Sequence, residues 1–558
     1  MKKLHTYHIN EKYPTSVAYF SMEFAIHQSL KIYSGGLGFL AGSHMRSAYD
    51  LKQNTIGVGI LWSYGYYNQE RDADRNLKIE FRRKRYYFLE DLNISVSVPI
   101  NDRTVIVKAM LVPPELFNTA PMILLTTDVE ENDYLSRTIT HKLYDSNIET
   151  RIAQEIVLGI GGVKILAALK QKIDIYHMNE GHSLPLVFEL YHRYKDFHQV
   201  QNKVVFTTHT PEAAGNEEHD INLLHKMGFF NKLSLKKVRE LTGITESQFS
   251  LTVGALRSAK IANAVSKIHG EVANRMWDHI DNRCEIISIT NAQNRRYWAD
   301  KVLLKALDEH EDYELSARKK HLKKLLFMEV AIQTGKMFDP NVLTIVWARR
   351  FAEYKRPGLL KYDFERFEKF INSSKYPVQI IWAGKPYPLD SQAINLFNEI
   401  NYISKECKNI AVLTGYELNL SVMLKRGADI WLNTPRITRE ASGTSGMTAA
   451  MNGAVNLSIA DGWHPEFSRD KINSFTIPPV AHDLAIEEQD RVDNINLMDI
   501  LENKIVKIYY DDNKEWIKIM KNSMTDVIPA FDSGRMVHQY YTQMYQKEKI
   551  DKESNDAL

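Results

Sequence analysis

Cysteine is almost absent: Cys284 and Cys407 are the only two in 558 residues. Two thiols permit neither a disulfide framework nor a thiolate metal cluster. Charge of one sign is also lacking, since 71 basic residues meet 69 acidic ones for a formal net charge of +2. With no long basic block, the chain has no electrostatic footprint for nucleic acid or an anionic membrane surface. No apolar stretch reaches membrane-spanning length, and the opening Met1-Lys-Lys-Leu-His-Thr-Tyr-His8 lacks the apolar core of a secretion signal, so a cytoplasmic location is expected. No HxxxH or HxH spacing points to a metal. What is present is enough for two large cores: the chain is 44% hydrophobic and 25% charged.

The most informative stretch is Glu440-Ala-Ser-Gly-Thr-Ser-Gly-Met-Thr448. Small residues and glycines crowd its turn, good helix formers follow, and an apolar run over 454–459 comes next, so it reads as a loop entering a helix that precedes a buried strand. Free N–H groups and the positive dipole end make such a start an anion site, and Glu440 before the turn suits a sugar hydroxyl or developing positive charge. A second glycine-rich start, Tyr33-Ser-Gly-Gly-Leu-Gly38, offers Gly35 and Gly36 for close anion approach, although plain strand-to-helix geometry is the commoner reason for such a turn. Tyr64, in Tyr64-Gly-Tyr-Tyr-Asn-Gln69, is a candidate to stack on a planar ligand or a half-buried strand aromatic. The glycines at 159–162 fail the dinucleotide fingerprint because position 164 is lysine, which removes a nicotinamide reading.

The pattern along the chain is α/β. Strands are expected at Val17–Phe20, 55–61, 173–176, 204–208 and 286–290, with antiparallel hairpins inserted over 77–127 and a long amphipathic helix over 153–168. The second half alternates more cleanly, with strands at Leu343–Ala348, Val378–Ala383, Ile410–Leu413, 429–432 and 454–459, which implies a parallel sheet with right-handed crossovers. Residues 308–324 read as a solvated, charged helix beside the junction. Open α/β sheets bind ligands at the carboxyl ends of their strands, which makes Asn179, His182 and His209 candidates. Arg350 and Lys355, just beyond Leu343–Ala348, are two fixed cations suited to a phosphate dianion.

Eight motifs then resemble, in the same order, the α-glucan phosphorylases: Tyr33-Ser-Gly-Gly-Leu-Gly38, Tyr64-Gly-Tyr-Tyr-Asn-Gln69, Asn179-Glu-Gly-His182, Thr207-Thr-His-Thr-Pro211, Ile289-Thr-Asn291, Arg350-Phe-Ala-Glu-Tyr-Lys-Arg356, Trp382-Ala-Gly-Lys385 and Glu440-Ala-Ser-Gly-Thr-Ser-Gly-Met447. The resemblance is to the short bacterial branch. It implies a GT-B architecture of two Rossmann-like domains facing across a cleft: 1–300 with inserted hairpins, 301–525, a helix over 526–548 crossing back, and a flexible tail over 549–558. It also implies retaining transfer of glucose between an α-1,4-glucan or maltooligosaccharide and inorganic phosphate, yielding glucose 1-phosphate, with the phosphate of pyridoxal 5′-phosphate as proton relay and a homodimer as the assembly.

By resemblance, His209, Arg350, Lys355 and Glu440 are catalytic, while Gly35, Gly36, His182, Asn291, Ser442 and Gly443 bind substrate. Tyr64, Tyr416, Thr444 and Ser445 surround the cofactor. One position departs from the family. Where its members carry the lysine that forms an imine with pyridoxal phosphate, this chain has Thr448, and no lysine lies between Lys425 and Lys471 to replace it by a small register shift. A hydroxyl cannot form an imine. Three readings follow: a phosphorylase that holds the cofactor without a covalent bond or works without it, a glucosyltransferase that fills the same anion pocket from a nucleotide sugar, and an inactive glucan-binding homologue.

Overall fold

Runs of valine, isoleucine and leucine buried on both faces build two sheets, the pattern of strands covered by helices on either side. In the computed structural model, residues 3–212, 215–481 and 483–546 are described, and the expected tail at 549–558 lies outside them. The first sheet has nine strands: β1 (Val17–Phe20), β2 (Thr55–Ile60), β3 (Glu90–Ile100), β4 (Arg103–Val112), β5 (Met122–Thr126), β6 (Ile175–Asn179), β7 (Val204–Thr207), β8 (Ile261–Ala264) and β9 (Glu285–Ser288), in the order β9-β8-β7-β6-β1-β2-β5-β4-β3. All pairings are parallel except those of β4 with β3 and β5. The hairpin expected as an insertion therefore continues the sheet at its edge. A small antiparallel pair, Asn68–Arg71 with Leu77–Glu80, stands apart from it.

The second sheet has six strands, all parallel: β10 (Leu343–Ala348), β11 (Val378–Ala383), β12 (Ile410–Leu413), β13 (Ile430–Asn433), β14 (Val455–Ile459) and β15 (Ser474–Ile477), in the order β12-β11-β10-β13-β14-β15. The order reverses between β10 and β13, which opens a crevice at their carboxyl ends. Two helices matter for what lies there. α1 (Gly36–Asp50) follows the first glycine-rich turn. α2 (Asp312–Thr334) corrects the expectation of a solvated helix at 308–324. Lys319 and Lys323 of α2 are buried. Lys319 donates to the carbonyls of Arg426 and Asn452, and Lys323 pairs with Asp429 at 2.5 Å. Alternating charge in a sequence cannot reveal partners that arrive from distant parts of the chain.

The helix expected over 153–168 is an α-helix at Ile148–Ile156, a π-helical turn at Val157–Gly161 and an α-helix at Gly162–Ala168. Its glycines serve packing. A Cβ on Gly162 would lie 2.6 Å from the Phe20 ring, and one on Gly159 would lie 2.7 Å from the backbone nitrogen of Leu186.

Two further helices, α3 (Leu418–Gly427) and the short α4 (Ser445–Ala450), pack against each other on the second sheet. The chain then ends by passing from one core to the other. α5 (Asn513–Phe531) places Trp516, Met520 and Met524 in the second core, whereas α6 (Ser533–Tyr540) and the turn Tyr541–Tyr545 pack with Val17, Leu40 and Val205 of the first. Tyr545 seals this contact through His177, whose Nδ1 lies 2.6 Å from the tyrosine hydroxyl. The halves also meet where Tyr67 donates to the Pro386 carbonyl at 2.8 Å and Gln69 to that of Gly384 at 2.8 Å. Among the described residues, no helix is long and apolar enough to cross a membrane.

Candidate active site

Parallel strands deliver their following loops to one end of a sheet, and here both sheets deliver them to one cavity of about 810 Å³. Its wall brings together Gly35, Gly36, His182, His209 and Asn291 from the first half with Arg350, Lys355, Tyr416, Glu440, Ser442, Gly443, Thr444 and Ser445 from the second. Two residues expected beside them are not in this wall. Tyr64 tilts against His141 at 5.0 Å, while Tyr66, beyond a Gly65 turn at φ +65°, lines the cavity. Thr448 is fully buried on α4, and its hydroxyl donates to the Ser445 carbonyl at 2.9 Å.

Glu440 centres the charged wall. Its Oε2 accepts from Arg349 Nη2 at 2.7 Å and Lys355 Nζ at 2.8 Å. Burial acts to raise its carboxyl, but Arg349 and then Lys355 outweigh burial and hold it at about 2, so it is ionised at neutral pH. Gly443 lies against this ion pair at φ +74°, and a Cβ there would come within 3.1 Å of Arg349 and 3.3 Å of Glu440. Lys355 is thus partly committed to a carboxylate, and Arg349, which sequence reasoning passed over, is its counterpart. Arg349 Nη1 is buried without a partner among the described residues. Arg350 is exposed to the cavity beside Tyr354, Tyr66 and Tyr144, and among the described residues no carboxylate pairs with it.

Asp461, also missed, accepts from the Glu440 N–H at 2.9 Å and fixes its backbone. Burial pushes the Asp461 carboxyl up to about 7. Only its place in the fold reveals it, because the sequence separates it from Glu440 by the whole of α4 and β14.

The first half contributes hydrogen-bonding groups that stay neutral. His209 Nε2 lies 2.8 Å from Asn179 Oδ1, and its backbone N–H donates to Glu180 Oε1 at 2.5 Å. Burial, helped by His269 and His182, brings the His209 imidazole down to about 3, and burial with Arg151 brings His182 to about 4. Asn291 Oδ1 and His182 Nδ1, and across the cavity the Ser442 hydroxyl, are buried and have no partner among the described residues, ready for a polar ligand. Glu180 sits at φ +70°, a strained setting for a non-glycine residue, and burial pushes its carboxyl up to about 7. Gly35 needs a qualification. Its N–H and that of Ser34 donate to Glu23 Oε2 at 3.1 and 2.6 Å, so an internal carboxylate occupies part of the anion site read from the glycines.

Glu155, Glu217 and His219 also converge, with one donor atom each inside 4.8 Å, a grouping that no local spacing predicts. Arg151 supplies the counter-charge there, 3.0 Å from Glu217 and 3.8 Å from Glu155. Tyr416 lines the cavity, with its hydroxyl donating to the Ala348 carbonyl at 3.1 Å.

Fold and site define a class: an α/β protein whose parallel sheets surround a cavity with cations on one side and neutral imidazoles on the other. The carbohydrate phosphorylase family matches residues 257–475. The chain is 34% identical to the maltodextrin phosphorylase of Thermococcus litoralis, over 96% of this chain and 71% of that protein. It is 31% identical to the glycogen phosphorylase of Aquifex aeolicus, over 96% of this chain and 87% of that protein. A Methanocaldococcus jannaschii protein, itself uncharacterized, is 48% identical over 95% of this chain and 99% of its own length. The chain belongs to the carbohydrate phosphorylase family.

Proposed function

We propose that this protein transfers a glucosyl group between the end of an α-1,4-glucan and inorganic phosphate with retention, in a GT-B arrangement. Its domains are 1–300 and 301–525, tied by the crossing segment expected over 526–548, of which residues 547 and 548 lie outside the described residues. The observation that carries this reading is the cation group around Glu440: among the described residues Arg350 has no carboxylate and Arg349 Nη1 has no partner, and Lys355 sits beside them. Such groups favour a phosphate dianion in a recess that excludes bulk water.

The mechanism assigns each wall a task. Arg350 and Lys355 hold phosphate below the anomeric carbon. Glu440 stays a carboxylate, accepts from sugar hydroxyls, and faces the positive charge of an oxocarbenium-like transition state. His209 and His182, being neutral, hydrogen-bond the sugar without adding repulsion to that charge. Asn291 accepts from a further hydroxyl through its free Oδ1.

Pyridoxal phosphate suits this donor set, because the free N–H of Arg349 and the free hydroxyl of Ser442 want an anionic or polar partner. Tyr416, Thr444 and Ser445 would hold it, with Tyr66 in the place first given to Tyr64. When bound, it supplies a phosphate able to exchange a proton with the substrate phosphate.

The test is glucose 1-phosphate formation from maltooligosaccharide with and without phosphate, in the presence of pyridoxal phosphate. Phosphate-dependent product is expected. Transfer from a nucleotide sugar instead would replace this reading with the glucosyltransferase one, and glucan binding without either activity would leave a binding protein.

A further inference from the structure

Unpartnered polar atoms gather on the first half's side of the cavity, where three segments of chain meet. The helix Ile148–Ile156 brings Arg151 and Glu155, Glu217 comes from the following loop, and the short antiparallel pair Glu218–Asp220 with Gln248–Ser250 brings His219. Glu155 is 0% exposed, and among the described residues neither of its carboxyl oxygens has a hydrogen-bond partner. Both ring nitrogens of His219, which is 4% exposed, are in the same condition. A buried carboxyl group and a buried imidazole without hydrogen bonds are each costly, so their convergence points to a ligand that satisfies both.

Arg151 does not satisfy them. It grips Glu217 with two bonds, Nε to Oε1 at 3.1 Å and Nη2 to Oε2 at 3.0 Å, and its Nε stays 3.8 Å from Glu155, beyond hydrogen-bond reach. One guanidinium thus stands beside two carboxyl groups. His219 Nε2 lies 3.4 Å from Glu217 Oε1 without forming a hydrogen bond, and one donor atom each from Glu155, Glu217 and His219 falls within 4.8 Å of the others. Ligands bonded at about 2.0 to 2.2 Å to a tetrahedral ion lie about 3.4 Å apart, so the His219–Glu217 separation already has the length of one edge of such a site. Arg151 leaves a second lone pair on each Glu217 oxygen. An ion has a way in, because Glu217 and His219 line the cavity, together with His182, whose Nε2 is 3.8 Å from Glu217 Oε2.

We propose that Glu155, Glu217 and His219 bind one divalent cation of the zinc class, with its open coordination position on the cavity side. Two carboxylates and an imidazole suit zinc and its neighbours, whereas magnesium and calcium take oxygen ligands throughout. Three protein ligands leave the fourth position of a tetrahedral ion to water or to a hydroxyl of whatever occupies the cavity. The site stands apart from the phosphorylase reading, since it binds its ion whether or not glucosyl transfer takes place.

The experiment strips the whole chain with a chelator, removes the chelator and titrates with zinc chloride by calorimetry, then repeats the titration on Glu155→Gln and His219→Gln. The parent is expected to bind one equivalent, and each variant to bind it at least about tenfold more weakly, because losing a ligand costs no less than losing the outer support of one. Zinc is also expected to raise the melting temperature of the parent and to leave that of the variants unmoved. Equal affinity in the three folded proteins would mean adventitious coordination at surface side chains and overturn the proposal, as would a parent that binds no zinc. Cobalt titrated into the parent decides the matter without any variant. The strong visible absorption of a four-coordinate nitrogen and oxygen site would support the proposal, and the weak spectrum of octahedral, water-ligated cobalt would overturn it.

Discussion

Glu440 faces two cations, and its own backbone N–H donates to Asp461, which fixes its peptide, so a change of a single atom type should separate binding from turnover. In Glu440→Gln, Arg349 and Lys355 lose their internal anion and become free to hold phosphate. We expect phosphate to bind more tightly by calorimetry while turnover falls about 10²- to 10³-fold, because the carboxylate facing the transition state is gone. A variant that loses phosphate affinity would show that Glu440 orients the cations rather than competing for them.

Glu180 gives a pH signature with a definite sign. Its carboxyl is raised from 4.5 to about 7 in the folded protein, so the folded state binds the extra proton between those values. The stability it contributes is full below pH 4.5 and is lost as pH rises through about 7, by at most about 3 kcal/mol and less to the extent that cavity water screens it. Urea titrations should show this decline in the parent and a flatter profile in Glu180→Gln. Equal slopes in the two proteins would contradict the raised value.

Elements differ in how openly their sequence declares them. Five of the six strands of the second sheet were legible because burial on both faces demands unbroken Val, Ile and Leu, as in Leu343–Ala348 and Val378–Ala383, whereas the edge strand Ser474–Ile477, with serine and threonine in it, was not expected. β8, Ile261–Ala264, was not, because alanine and asparagine fill a strand pressed between neighbours with little room. At the site, the glycine turns and strand-end polar residues led to most of the wall, whereas Arg349, Glu180 and Asp461 depend on partners that only the fold supplies. Tyr64 was preferred to Tyr66 because a left-handed turn at Gly65 reorients the segment, and sequence alternation carries no trace of it.

α2 and α4 each yield a test. Breaking the buried Lys323–Asp429 pair with Lys323→Met strands a carboxylate that is 4% exposed, and should cost about 3 to 5 kcal/mol in denaturant unfolding. On α4, Thr448→Lys forces a longer side chain into a fully buried position, which should cost about 1 to 3 kcal/mol. Pyridoxal phosphate is then expected to restore part of the lost melting temperature, since a ligand held only by the folded state stabilises it. A melting curve unmoved by the ligand would mean that the recess beside α4 does not admit it.

At the scale of the molecule, the crossing segment ties the two cores. Tyr540, Tyr541 and Tyr545 bury aromatic surface worth about 1.5 to 3 kcal/mol each against the first sheet. A chain ended at Phe531 should keep the second core's α5 yet lose protection of β1, β6 and β7, measurable by hydrogen exchange. Unchanged protection in those strands would make the crossing contact dispensable.

That same seam sets an order of events during synthesis. Val17 of β1 is covered by Met536 to Tyr545, which are made long after it, and His177 waits for Tyr545. While a ribosome still holds the carboxyl-terminal segment, the amino-terminal half has its sheet but lacks its cover, so it displays an apolar face for as long as translation of the second half takes. Slow translation of this message would lengthen the time during which nascent chains can aggregate.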